Sequence, residues 1–260
     1  TKLLAFKNNR KALIQNIISI YQEAEIHLPT LEKDNHIVDM DPFTVFGMFN
    51  KGITRANRQK LLSGFAKKFS VSAKIPEQFA GIPVLNNQQS VFYGFGTDRK
   101  SNDIDNLWNL FAQAIALAKS DTEENRRLFI EWYDKTQAQY LIKWNITMGL
   151  FWIRPYTYIN LDSVNRNYIK DKRHMPFSFT EFAKRALKNV PNGETYLKIK
   201  DLCQDALSEG KYAYTTFPEL SEHAWMAAHK KSTEPEPSQA PDEEQRTVHY
   251  WLYSPGAGAD

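Results

Sequence analysis

The stretch "SNDIDNLWNLFAQAIALAKSDTEENRRLFIEWYDKTQAQYLI", residues 101–142, decides the fold class. Ile104, Leu107, Trp108, Phe111, Ile115 and Ala118 recur at three- and four-residue steps, the spacing that gathers side chains on one face of a helix, with Asn102 or Asp103 as its cap. Asp121 and Glu124 stand in capping-box spacing and open a second helix, in which apolar and charged residues again alternate at helical period. With only a break near Ser120 between them, the two helices read as an antiparallel pair.

The same pattern extends in both directions. Upstream, Leu13, Ile17, Ile20, Tyr21 and Ala24 mark a helix from Asn9 to Ala24, which Pro29 and the polar run around it bring to an end. Thr54 is placed to cap another, with Leu61, Leu62, Phe65 and Phe69 on one side. "IPVLNNQQSVFYGF", residues 82–95, holds two short apolar runs around a polar turn and reads as a hairpin. Downstream, Ile146–Ile153 is apolar on all sides, as a central buried element would be, and Pro155 stops it. "FSFTEFAKRALKNV" and "GETYLKIKDLCQDALSEG" read as further helices, the first capped near Ser178 or Thr180 and the second followed by Gly210. "FPELSEHAWMAAHKK" closes the body. These elements describe a mainly α, multi-helix globular domain over residues 1–230 with a small β element near 82–97.

Composition agrees with a packed domain, since 42% of the residues are hydrophobic and 13% aromatic. A single cysteine, Cys203, excludes an intramolecular disulfide and any zinc site built on paired cysteines, and its place on a helix face reads as a small buried hydrophobe. No apolar run approaches 18 residues and no signal-peptide pattern opens the chain, so a cytoplasmic protein without membrane contact is expected. Residues 231–246 are acidic and proline-rich, the composition of a linker. Residues 247–260 then begin an alternating strand, as if a second, β-rich domain started there and were truncated.

Chemistry-bearing motifs are sparse. No G-x-x-x-x-G-K-[ST] occurs, because Gly210 and Lys211 are followed by tyrosine, and the six histidines are scattered without metal-ligand spacing. Asp39 and Asp41 in "IVDMDPF" could be imagined as paired carboxylates, but a loop carboxylate capping the segment after Pro42 is the commoner role, and Asp162 before "SVNRNYI" is likewise read as a helix cap. Neither a cofactor nor a catalytic residue is expected within these residues.

Charge is the stronger signal. Residues 231–260 hold two basic and six acidic residues, so the overall +3 leaves +7 on residues 1–230. Lys51, Arg55, Arg58, Lys60, Lys67, Lys68 and Lys74 fall within 24 positions that contain no Asp or Glu, mostly off the apolar stripe of their helix. A second group, Arg166, Lys170, Lys172 and Arg173 with His174, is interleaved with Tyr156, Tyr158, Asn165, Asn167 and Tyr168, which supply amides and phenols able to bond phosphate or stack on bases. Either group alone reads as a solvated face. Together they point to a polyanion, with DNA first among the candidates.

Several stretches in order, "KNNRKALIQNI", "DPFTVFGMFNKGIT", "GIPVLNNQQSVFYGF", "NDIDNLWNLF", "MGLFWIRPYTYINLDSVNRNYI", "FPELSEHAW" and "HYWLYSPG", resemble the N-terminal region of McrB-like proteins. These are the AAA+ NTPase subunits of bacterial type IV, 5-methylcytosine-dependent restriction systems. The resemblance implies a DNA-recognition or docking role in phage defence. It also implies a GTP- or ATP-and-Mg²⁺-dependent motor and an McrC-type nuclease partner, both acting through a part beyond this sequence. It carries no catalytic motif, and the closing "HYWLYSPG" is similar to the opening strand of a modified-base reader. Two other roles stay open: a helical protein-interaction module of the same system, and a glycosylase-like enzyme using Asp39 or Asp162.

Overall fold

The chain was analysed as a computed structural model that describes residues 1–33, 36–87 and 90–230. Its α-helices are α1 (Arg10–Glu23), α2 (Pro42–Gly47), α3 (Arg55–Lys68), α4 (Asp103–Lys119), α5 (Glu123–Gln137), α6 (Asn145–Ile153), α7 (Ser163–Ile169), α8 (Phe177–Ala186), α9 (Gly193–Ser208) and α10 (Phe217–Lys230). The fold is thus mainly helical, and α4 with α5 is its most extensive pairing. The pair is antiparallel, since the Gln139 side chain beyond the end of α5 donates to the Asp103 carbonyl at the start of α4, at 3.0 Å. The cap of α5 lies one residue later than its acidic pattern suggests. Thr122 accepts from the Asn125 N–H, leaving Asp121 to pair with Arg126, which also reaches Asp201 on α9 at 2.7 Å.

Every residue from Ile146 to Ile153 on α6 is buried, as its unbroken apolar text requires. Its one glycine marks a close approach: a Cβ on Gly149 would stand 2.6 Å from a ring carbon of Phe43 on α2. Asp41 starts α2 by accepting from the Phe43 and Thr44 N–H groups at 2.7 and 3.0 Å. Large aromatic residues fill the space between helices, and their polar atoms are met by backbone carbonyls: Trp108 by Met40, Trp152 by Pro83, Tyr158 by Ala114 and Tyr196 by Ile159. These four rings are buried without a stranded donor, whereas the buried Tyr133 hydroxyl has no hydrogen-bond partner among the described residues.

Two expectations are corrected. Among the described residues of 82–95 no hairpin forms, and the β element reduces there to one isolated parallel bridge between Lys51 and Leu85. The reason is that backbone groups here serve the core: the Phe92 N–H donates to the Thr44 hydroxyl, and the Pro83 carbonyl accepts from Trp152. Helix α8 starts after Pro176 without a side-chain cap, since the Thr180 hydroxyl turns back onto the Phe177 carbonyl. The linker and strand expected over 231–260 lie outside the described residues.

The C-terminal helix is fastened through a buried polar hub. Ser221 on α10 donates to the Gly81 carbonyl at 2.6 Å and receives the Asn165 amide at 3.1 Å. Asn165 and Asn160 both also donate to Asp162, the cap of α7. Gly81 is required here, because its φ is +74° and a Cβ would meet the Glu222 backbone at 2.6 Å.

Candidate nucleic-acid interface

Helix α3 carries the first basic group, and its cap follows from Thr54 accepting the Asn57 N–H. Four residues form its buried stripe: Arg58, Leu61, Leu62 and Phe65. Arg58 was expected to face solvent with the other cations and does not. Its guanidinium lies 4.7 Å from the Phe79 ring centroid and donates to the Lys51 carbonyl, and burial pushes its pKa down from the arginine range. It ties the start of α3 to the 75–83 loop, so it is a structural residue. Lys51 is half-buried, with its pKa lowered by the same desolvation.

The remaining members of this group are exposed. Acidic residues from neighbouring segments reach several of them: Glu23 on α1 stands 3.7 Å from Lys67 and 3.9 Å from Lys68, and Glu77 lies 3.1 Å from Lys74. Arg55 and Lys60 have no ion pair among the described residues. Helical geometry puts Lys60 and Lys67, seven positions apart, on the side of α3 opposite the buried stripe.

The second group surrounds α7. Arg166 is half-buried: it covers the Trp144 ring at 3.7 Å and donates to the Leu161 carbonyl, and burial lowers its pKa. Lys170 is also half-buried, whereas Lys172 and Arg173 are exposed, the latter paired with Asp171. The two groups are linked through the fold, since α3 holds the 75–83 loop through Arg58 and that loop holds α10 and α7 through Ser221.

Sequence reading missed a ring ladder built partly on the loop that carries Lys172. Tyr168 and His174 stack at 3.8 Å between centroids, and Tyr212 stacks on Tyr214 at 5.6 Å. Tyr214 lies 5.9 Å from Tyr168 and 5.1 Å from His223, and its hydroxyl donates to the His174 carbonyl. The alternating tyrosines of "GKYAYTT" were the available signal, but nothing local ties them to residue 168.

The carboxylates imagined as catalytic are engaged in the fold. Asp39 pairs with Arg10 at 2.8 Å, Asp41 caps α2 and Asp162 caps α7. Among the described residues no group of three His, Cys, Asp or Glu is placed to hold a metal ion, and no helix is long and apolar enough to cross a membrane. Cys203 is fully buried, and desolvation pushes its thiol pKa far up. Comparison with curated proteins gives no match, and neither does comparison with solved structures. A family model described as a domain of unknown function, DUF8425, covers residues 1–227, and the chain belongs to that family.

Proposed function

We propose that this chain is the DNA-docking region of an McrB-like, modification-dependent restriction NTPase and that it contacts duplex phosphates through the outward side of α3. The supporting observation is a helix without a single acidic residue whose exposed lysines, Lys60 and Lys67, stand opposite its buried stripe. Residues 1–230 carry +7, so the surrounding field also favours a polyanion. The contacts from Glu23 and Glu77 do not cancel the reading, because ion pairs between exposed groups are weak and a phosphate can replace the carboxylate. The nucleotide, Mg²⁺ and the McrC-type nuclease would act through the motor, and the protein would work in the cytoplasm.

The interaction-module reading calls for a shared apolar patch, and the large hydrophobics exposed among the described residues, Val38, Val84, Tyr140, Tyr156, Phe177, Leu202 and Trp225, come singly from seven segments of the chain. A glycosylase-like role would need a carboxylate other than those spent on caps and on Arg10.

Fluorescence anisotropy with plain and cytosine-methylated duplexes, taken across a salt series, tests the proposal. Binding should weaken with salt at a log–log slope of about −0.9 for each phosphate contact. The double substitution Lys60→Glu and Lys67→Glu should flatten that slope by about two contacts while leaving the melting temperature unchanged. A folded double variant with the parent's affinity and slope would remove α3 from the interface.

A further inference from the structure

The ladder of Tyr168, His174, Tyr212 and Tyr214 is built from segments more than 30 residues apart, and its outer members are not sealed into the core. Tyr168, His174 and Tyr212 are half-exposed, while Tyr214 beneath them is buried. The stack is held from below: the Tyr214 hydroxyl donates to the His174 carbonyl, fixing the loop that carries the imidazole. Exposed cations flank it along the chain, with Lys172 and Arg173 just before His174 on the 170–176 loop and Lys211 just before Tyr212. Two of these have carboxylate neighbours, Asp171 for Arg173 and Glu209 for Lys211, which leaves Lys172 and half-buried Lys170 as the excess charge.

Flat π surfaces beside positive charge match one ligand chemistry closely, the unpaired base with its phosphate. Every base has a face that stacks on a ring, whatever its sequence, and the adjoining phosphate takes the lysine. A paired duplex does not offer those faces. The geometry points to a second nucleic-acid contact on this molecule, separate from α3, at which the Tyr168–His174 and Tyr212–Tyr214 stacks hold unpaired bases of a single strand while Lys172 meets the backbone.

This inference rests on the nucleic-acid reading above, and the experiment separates the two. The full chain is titrated against three fluorescein-labelled probes: a ten-nucleotide oligo-dT, an abasic strand of the same length, and a duplex. Oligo-dT should bind about tenfold more tightly than the abasic strand, the scale expected of one base stacked on an aromatic side chain. Tyr212→Leu should erase that tenfold difference without changing abasic or duplex binding, and Tyr212→Phe should restore it. Equal binding of oligo-dT and abasic strand by the parent protein would overturn the inference whether or not any variant folds, and duplex binding would then stand alone. Failure of all three probes to bind would overturn the docking function as well. Stronger binding of an acidic phosphopeptide than of oligo-dT would reassign the ladder to a protein partner.

Discussion

Two groups of stacked rings lie in this protein, and they differ in what surrounds them rather than in what they are made of. Phe129, Tyr133, Tyr158 and Tyr196 form the inner group: Phe129 and Tyr158 stack at 5.5 Å, Tyr133 and Tyr196 at 5.4 Å, and none is exposed. Helices α4, α5 and α9 close over them, and the Tyr158 and Tyr196 hydroxyls end on carbonyls. The outer group, Tyr168, His174, Tyr212 and Tyr214, stands on a seven-residue helix and two loops, with His223 of α10 against Tyr214, and three of its four rings stay half-exposed. A ring whose neighbours are long helices becomes core. One whose neighbours are loops with lysines keeps a face for something else.

That contrast can be broken from its buried end first. Phe129→Ala should cost about 3–5 kcal/mol, because deleting a fully enclosed ring loses its transfer free energy and leaves a cavity among three others. Urea unfolding would report it, and a cost under about 1 kcal/mol would mean that the inner group is loosely packed.

A pH series sharpens the same point for buried charge. The Asp41 carboxyl is wholly buried, one of its oxygens lacks a partner among the described residues, and desolvation raises its pKa from 3.8 to about 6. An acid with a raised native pKa holds its proton more tightly when folded, so its contribution to stability is fully present below 3.8 and is lost as pH rises through about 6. The loss amounts to about 3 kcal/mol. Asp41→Asn keeps a capping oxygen and cannot ionise, so its stability relative to the parent should rise by that order between pH 4 and pH 7. Parallel pH curves for the two proteins would show that Asp41 is ordinary.

At the open end the expected effects on folding are small. Tyr212→Leu should cost less than about 1 kcal/mol, since a half-exposed side chain on a loop has little to lose. A cost like that of Phe129→Ala would place Tyr212 in the core and close the outer group. Smallest of all, Glu23→Gln frees Lys67 and Lys68 from their shared carboxylate and should raise duplex affinity about two- to threefold at low salt, an effect that fades as salt rises.

Helix content was legible because it is a periodic signal. The apolar steps of 104–118, the all-apolar run at 146–153 and the caps at Thr54, Asp41 and Asp162 each need only a dozen neighbouring residues to be read. Residues 82–95 were misread because two short apolar runs around a polar turn look like paired strands, while the actual partners of Phe92 and Pro83, Thr44 and Trp152, lie far off in the chain. Arg58 was misjudged for a different reason. It stands three, four and seven positions before Leu61, Leu62 and Phe65, squarely on the buried stripe, yet charge was taken to outrank position. Its burial depends on Phe79, which the sequence does not connect to it. The acids Glu23 and Glu77 lie outside Lys51–Lys74, and an acid-free segment says nothing of the residues packed beside it.

The Ser221 hub also governs when the protein can be finished during synthesis. Gly81 waits 140 residues for the hydroxyl that its carbonyl receives, and the Asn160 and Asn165 amides wait roughly 60 for theirs. Until α10 has emerged from the ribosome, α7 and the 75–83 loop have no common anchor, however well α1 to α6 have already packed. Closure is therefore a long-range contact that only a chain including α10 can make, whereas the helices before it form from local contacts. A nascent chain halted before Ser221 should be the form that chaperones hold longest.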